Sequence, residues 1–356
     1  MSCPTISDVQ ADWRCLDAED FVSPEGVRLV SHDDFAPRPD CPPVECIAPG
    51  RLANALRFSE TLFHLLYAWR LLRHTPHDAV LVLSGSSRLW LFVGLLNRLA
   101  MLRRRAILLW DVFVEVRPGW RQRLVGAAMA SFRLKVLWSH RQIEPHAAWL
   151  KLPREQFVFL PYKANHAQGP SYDFPDGSYV FAGGNGKRDY KTLADAIRGT
   201  AIPVIVSATD ASVRNRIEKL PNLIALAASE PAFAQLQAGA RFTVVPMVHS
   251  WLKGGGEANI CNGMWHGKPV IAVDGMVADD YIVDGQTGYI VASGDVVALR
   301  RRMLELWNDV EKCRAMGRKA RAHAKVSFTH DLFVRRLLRL ATLCGTRPGR
   351  CRKAAT

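Results

Sequence analysis

The chain has 356 residues, 49% of them hydrophobic and 22% charged, which is long enough for two cores and too apolar for wholesale disorder. Its formal net charge is +14, yet the first 40 residues carry nine Asp and Glu against three Arg, so the remaining body is strongly basic and points to anionic partners such as nucleoside diphosphates, acidic phospholipid surfaces or nucleic acid. Eight scattered Cys without a CxxC pair or zinc-ligand spacing exclude a zinc framework and fit a reducing compartment, the acidic start with Asp8 and Asp12 does not read as a signal peptide, and the longest apolar run, Leu89 to Leu96, is well short of the ~20 residues of a bilayer-spanning helix.

Residues 1–50, rich in Pro and Asp, read as a poorly periodic lead-in with a short strand near 27–30. From there the pattern alternates. Glu60 to Arg73 predicts a helix capped by Ser59, with Leu62, Leu65, Leu66, Trp69 and Leu72 on one face. Ala79–Leu83 and Ala106–Trp110 predict buried strands on either side of a helix over 90–104. A helix over 121–132, a strand over 135–138, a helix over 143–151 and a strand over 156–160 complete an N-terminal α/β domain, residues 1–165.

The turn-rich stretch 166–177 reads as a linker, and a second α/β series fills 178–343. Strands are expected at 178–182, 203–207, 223–227, 242–246, 269–273 and 289–291. Helices are expected at 190–198, 211–220, 233–238, in the segment from Gly254 to His266, and over 296–307, 310–324 and 329–343. The last helix is long and basic enough to cross back to the first domain, and 344–356 is a basic tail. Ligands of such sheets bind beyond the C-terminal strand ends, where loops meet helix N-termini.

The most specific segment runs KGGGEANICNGMWHGKPVIAVDGMVADDYIVDGQTGYIV from Lys253 to Val291. A glycine triplet opening a helix lets backbone N–H groups approach an anion, and the helix dipole favours negative charge there; the alternative is a flexible turn. The segment resembles the donor-binding signature of GT-B glycosyltransferases, in particular the large retaining family 4, through Gly267-Lys268-Pro269-Val270-Ile271 and Asp284-Gly285-Gln286-Thr287-Gly288. The resemblance covers residues 178–343 well and 57–165 only in outline.

It implies two Rossmann-like domains facing a cleft and a nucleotide-diphosphate sugar as donor. It also implies transfer with retention, without a metal or other cofactor, to a glycan or lipid-linked acceptor in polysaccharide or glycoconjugate synthesis. Donor contacts would then come from Gly184, Lys187 and Arg188 in the GGNGKRDY stretch and from Lys253, Gly255, Gly256, Glu257 and Asn262. Lys187 and Arg188 stand near the family's Arg and Lys; a solvated basic loop is the plainer alternative. The family's two Glu, eight residues apart, fall here on Gly254 and Asn262, which leaves Glu257 as the nearby carboxylate and allows a catalytically inert scaffold.

Asp111, after the strand Ala106–Trp110, sits where the family often has a His or Asp facing the acceptor; it orients or deprotonates an acceptor hydroxyl, or else it is a turn residue. Glu115 and His140 are weaker candidates of the same kind. The Arg-flanked stretch 88–105 reads either as a surface docking on anionic lipid or as a crossover helix with Leu91, Leu95 and Leu99 in the core. No basic strand interleaved with aromatics supports nucleic-acid binding, and the Gly-x-Gly at 184–186 lacks the full dinucleotide fingerprint. The expected location is cytoplasmic, peripheral at the inner membrane face if lipid docking holds.

Overall fold

The computed structural model describes residues 4–19, 21, 27–33, 35, 41–99, 105–112, 118–168, 177–248, 255–275 and 277–345. The chain divides into two compact units, Met1–Leu160 with Val334–Thr356, and Pro161–Phe333. Residues 161–165 therefore count with the second unit and not the first, and the final helix counts with the first unit from Val334 onward.

In the first unit the described elements run α1 (Ile6–Ala11), β1 (Arg28–Ser31), β2 (Val44–Cys46), α2 (Arg51–Ala55), α3 (Glu60–His74), β3 (Ala79–Ser84) and α4 (Leu89–Leu99). They continue with β4 (Ala106–Trp110), α5 (Trp120–Met129), β5 (Leu134–Leu137), α6 (Ile143–Leu150) and β6 (Phe157–Phe159). The strands form one parallel sheet in the order β2-β1-β3-β4-β5-β6. β3 is buried along its whole length, as expected of a parallel strand covered on both faces. On one face Leu81, Leu83, Ile107 and Leu109 pack with Tyr67 and Leu71 of α3, Val93 of α4 and Met129 of α5.

The first fifty residues correct the sequence expectation of an undefined lead-in, because they supply two strands and a capped helix. The Thr5 hydroxyl accepts from the Asp8 N–H at 3.3 Å, and Asp8 Oδ2 accepts from the Thr5 N–H at 2.7 Å, a reciprocal box that closes the first turn of α1.

The second unit holds β7 (Val180–Gly183), α7 (Tyr190–Ile197), β8 (Val204–Ser207), α8 (Ala211–Arg214), β9 (Leu223–Leu226), α9 (Glu230–Gly239) and β10 (Thr243–Val245). After these come α10 (Glu257–Trp265), β11 (Val270–Val273), α11 (Ala278–Tyr281), β12 (Gly288–Val291), α12 (Val296–Asn308) and α13 (Val310–Ser327). Its parallel sheet has the order β12-β11-β10-β7-β8-β9. Read from the other edge this is the Rossmann arrangement, whose strand order reverses between β7 and β10. The helix expected over 211–220 stops at Arg214, whose Nη1 turns back onto the Ala208 and Thr209 carbonyls at 2.5 and 2.7 Å. Of the expected linker, Asn165–Gln168 is a 3₁₀ turn, while 169–176 lie outside the described residues.

The last helix, α14 (His330–Gly345), carries two arginines that are buried in the first unit. Arg336 grips Asp17 with both arms of its guanidinium, Nε at 2.7 Å and Nη2 at 2.5 Å, and stacks over Trp13 at 4.3 Å. Arg339 donates to the Leu16 and Ala18 carbonyls at 2.7 and 3.0 Å. The acidic start of the chain is thus held by its basic end.

Lys135 in β5 has no solvent exposure. Its ammonium donates to Phe132 O at 2.8 Å and to Gln156 Oε1, and burial pushes its pKa down to about 7. Its unfolded value is about 10.4. Between those values the unfolded chain binds the extra proton, so this lysine weakens the fold at pH 7 and the penalty fades toward pH 10. Lys135→Met is expected to raise the melting temperature at pH 7, with an advantage over the wild type that shrinks as pH rises to 10; a constant advantage across that window contradicts this account.

Candidate functional site

The strand order of the second sheet reverses between β7 and β10, and beyond Gly183 and Val245 most of the residues singled out in the sequence of that half come together. The Gly183 carbonyl accepts from Arg188 Nε at 2.9 Å and from Asn259 Nδ2 at 2.8 Å, so one oxygen ties the end of β7 to the following loop and to α10. Arg188 Nη1 donates to Gly186 O at 2.8 Å and contacts Met247 Sδ at 2.7 Å. Backbone bonds from Asp189 N to Pro246 O and from Val248 N to Lys187 O, each 2.9 Å, lace the two loops together.

The backbone conformations explain the glycines. Gly184 has φ +110°, and a Cβ on it would stand 2.7 Å from Arg188 Nη2. Gly256, the N-cap of α10, has φ +92°, and a Cβ there would meet Val245 Cγ1 at 2.7 Å. A Cβ on Gly255 would lie 3.8 Å from Arg188 Nη1, which places the guanidinium beside the turn that opens α10. Among the described residues no side chain caps that first turn. Lys187 adopts φ +49°, a left-handed conformation that costs a non-glycine residue energy.

Among the described residues, the polar contacts of Arg188 are two carbonyls and a thioether, and none is a carboxylate within ion-pair distance. Burial pulls its pKa down, opposed by the charges of Tyr190 and Glu257. Tyr190 donates its hydroxyl to Gly184 O at 2.6 Å, and burial raises that phenol to about 12. Glu257, 5% exposed, lies in the first turn of α10. A half-buried guanidinium next to a helix start without a described side-chain cap and two left-handed glycines suits an anion with several oxygens.

Asn262 is built into the fold. It is 3% exposed, and its Oδ1 accepts from the Asn165 and His166 amides at 2.7 and 3.3 Å, which fastens the 3₁₀ turn to α10. Beside it His166 Nδ1 and His266 Nε2 lie 3.0 Å apart. Burial, then the charges of His166, Lys268 and Arg321, hold the His266 pKa at about 3, and burial also lowers that of His166. Lys253, Gly254 and Glu115 lie outside the described residues.

The Gly-Lys-Pro stretch ends α10. Gly267, at φ +70°, donates to Met264 O and Lys268 donates to Gly263 O, each at 2.9 Å, the paired closure of a helix that ends in a left-handed glycine. In the other turn Asp284 Oδ1 accepts from Ile290 N at 2.8 Å, and a Cβ on Gly288 would strike the Val270 carbonyl. Both motifs shape the backbone that carries the site.

In the first unit Asp111 follows β4 with φ +62°, and its Oδ1 accepts from Trp138 Nε1 at 3.2 Å. Gly85 presses against the Asp111 carbonyl so closely that a Cβ would stand 2.1 Å from it. The carboxylate is thus oriented by an indole from the neighbouring strand end. His140 stacks on Phe159 with ring centroids 4.1 Å apart. Sequence reasoning missed Asn259, Met247, Tyr190, Trp138 and the His166–His266 pair. Asn259, His266 and Tyr190 lay inside the quoted segments; Met247, Trp138 and His166 meet their partners only through the fold.

Comparison with known proteins bears on the fold of these units. Residues 190–309 match the family described as Glycosyl transferases group 1. A putative glycosyltransferase, EpsD of Bacillus subtilis, is 34% identical over 77 residues; the match spans 22% of this chain and only 20% of that relative. A glycosyltransferase structure from Rickettsia africae superposes with a TM-score of 0.59 at 14% identity, over 74% of this chain and 76% of that one. The Anabaena protein Alr3699/HepE, solved in complex with UDP-glucose, gives a TM-score of 0.56 at 14% identity over 85% of each chain. The fold is GT-B, with two Rossmann-like α/β units.

Two outcomes follow. Asn262→Leu removes the acceptor of two part-buried amides and is expected to cost about 0.5–1.5 kcal/mol; faster hydrogen exchange at Asn165 and His166 reports it, and unchanged protection there contradicts it. For the histidine pair, the unfolded imidazoles take up protons near pH ~6.5 while folded His266 resists until about 3. Stability at this pair is therefore full above pH ~6.5 and is lost as pH falls toward 3. His266→Gln should flatten that acid limb of the melting curve, and an unaltered limb would speak against the pair.

Proposed function

We propose that the chain is a glycosyltransferase that takes its sugar from a nucleotide-diphosphate donor bound at the β7/β10 reversal of the second unit. The observation that carries the reading is the convergence of Arg188, Gly184 and the Gly255–Gly256 turn on one point beside an uncapped helix start. In this reading the Arg188 guanidinium and the first amides of α10 hold the diphosphate. As the sugar–oxygen bond breaks, negative charge accumulates on the departing phosphate, and fixed N–H donors stabilise it without a metal. UDP is the nucleotide to try first, because Alr3699/HepE is described with UDP and UDP-glucose.

A hexosyl donor, retention of configuration, and an acceptor that is a glycan or a lipid-linked sugar of polysaccharide or glycoconjugate assembly complete the proposal. In retention the donor phosphate itself can take the acceptor proton, so a strong protein base is not required. Asp111, oriented by Trp138, then serves to position the acceptor hydroxyl.

A second reading, an inert GT-B relative that binds nucleotide as a scaffold, is favoured by Asn262, whose oxygen serves the backbone of Asn165 and His166. Titration calorimetry with UDP tests the first reading. Arg188→Ala is expected to lose about 1.5–3 kcal/mol, roughly tenfold to 150-fold in affinity; unchanged affinity sinks the site. Tight nucleotide binding without donor hydrolysis or transfer selects the scaffold.

A further inference from the structure

The helical layer over the first unit's sheet has an outer surface that the sugar-transfer reading does not use. α3 turns His64, Tyr67, Ala68 and Leu71 into the core. Its other face carries Leu62, Leu65 and Trp69, spaced for one side of a helix and exposed by 42%, 38% and 52%. Phe58, just before the helix, is 82% exposed, and Leu52 of the adjoining α2 is also exposed. Two helices along the layer, α5 exposes Trp120 and Leu124, and between them α4 exposes Leu99. A patch of this kind is more than scattered surface leucines.

The charges around it have one sign. Residues 51–74, 88–99 and 120–129 contain eight arginines and one glutamate, Glu60, which pairs with Arg88 at 3.6 Å. The arginines sit on the aromatics. Arg73 lies over Trp69 at 5.0 Å, Arg121 over Trp120 at 5.3 Å and Arg57 over Phe63 at 5.5 Å. An exposed indole carrying a guanidinium matches the headgroup layer of a bilayer, where the ring meets the acyl boundary and the cation meets phosphate. α4 itself, Arg-flanked as it is, buries Trp90 and Val93, so the exposed apolar face belongs chiefly to α3 and α5.

We propose that the α3–α5 face, centred on Trp69, Leu65 and Phe58 and ringed by Arg57, Arg73, Arg121 and Arg123, docks on an anionic phospholipid surface. No described helix is long and apolar enough to cross a membrane, so the contact is interfacial. The proposal stands on this surface alone and does not need the donor site.

The test is co-sedimentation of the full chain with phosphatidylcholine vesicles, with and without phosphatidylglycerol. Binding is expected to the anionic vesicles only and to weaken with salt. Trp69→Gln combined with Phe58→Gln should weaken it about tenfold while leaving the melting temperature near that of the wild type. Arg57→Glu with Arg73→Glu should do the same through charge. If a double variant melts early, the single variant Leu65→Gln replaces it. Failure to bind, equal binding to neutral vesicles, or a patch that instead mediates concentration-dependent self-association abolished by Trp69→Gln overturns the proposal. Nucleotide affinity measured on the same variants separates this outcome from the fate of the donor site.

Discussion

The Gly183 carbonyl is the point on which the second unit's site depends. A strand-end oxygen has two lone pairs, and here one guanidinium and one carboxamide occupy both. Arg188 reaches it from the loop that follows β7, and Asn259 reaches it from α10, which follows β10. Because β7 and β10 are neighbours at the strand reversal, those elements leave the sheet in opposite directions, and the shared acceptor ties their ends together alongside the backbone laces at Pro246 and Val248 and the Arg188–Met247 contact. The same pair of bonds sets the position of the guanidinium and the orientation of the helix start.

The same arrangement is where the proposed donor would sit. Arg188 is half-buried and meets no carboxylate within ion-pair distance among the described residues, Lys187 takes left-handed backbone, and no described side chain caps the first turn of α10. In the proposed reading, oxygen atoms placed near the guanidinium and the turn would answer the burial of the cation and the open N–H groups of the helix start. Glu257 sits close enough to oppose the burial of Arg188 electrostatically, yet it does not close the gap with an ion pair to that residue.

Much of this was legible in the sequence because period and punctuation report local structure. Strands such as Ala79–Leu83 and Val270–Val273 are short apolar runs between turn residues, and each appears within a residue or two of its expected place. The glycines at 184, 255 and 256 marked the loops that must approach something closely. Long-range geometry was not legible. Asn262 stands where the resemblance places the second Glu of the motif, but in the fold its oxygen meets the amides of Asn165 and His166, far away in sequence. The lead-in looked formless because β2 is a three-residue strand with two exposed positions, too short for any alternation to show.

The lead-in and the last helix show why such segments resist local reading. Trp13, Asp17 and Phe21 have no apolar period to announce a helix or a strand. What orders them is a partner more than three hundred residues away: Arg336 on Asp17 and Trp13, Arg339 on Phe21 and on the Leu16 and Ala18 carbonyls. Arginine is suited to this work, since its planar fork binds a carboxylate with two bonds while its face stacks on a ring. The cost of burying Arg336, 1% exposed, is met only when Asp17 is in place. The acidic beginning and the basic end of the chain, which look like separate charge anomalies in the sequence, are therefore two halves of one packed contact within the first unit, with the sequence of the second unit lying between them.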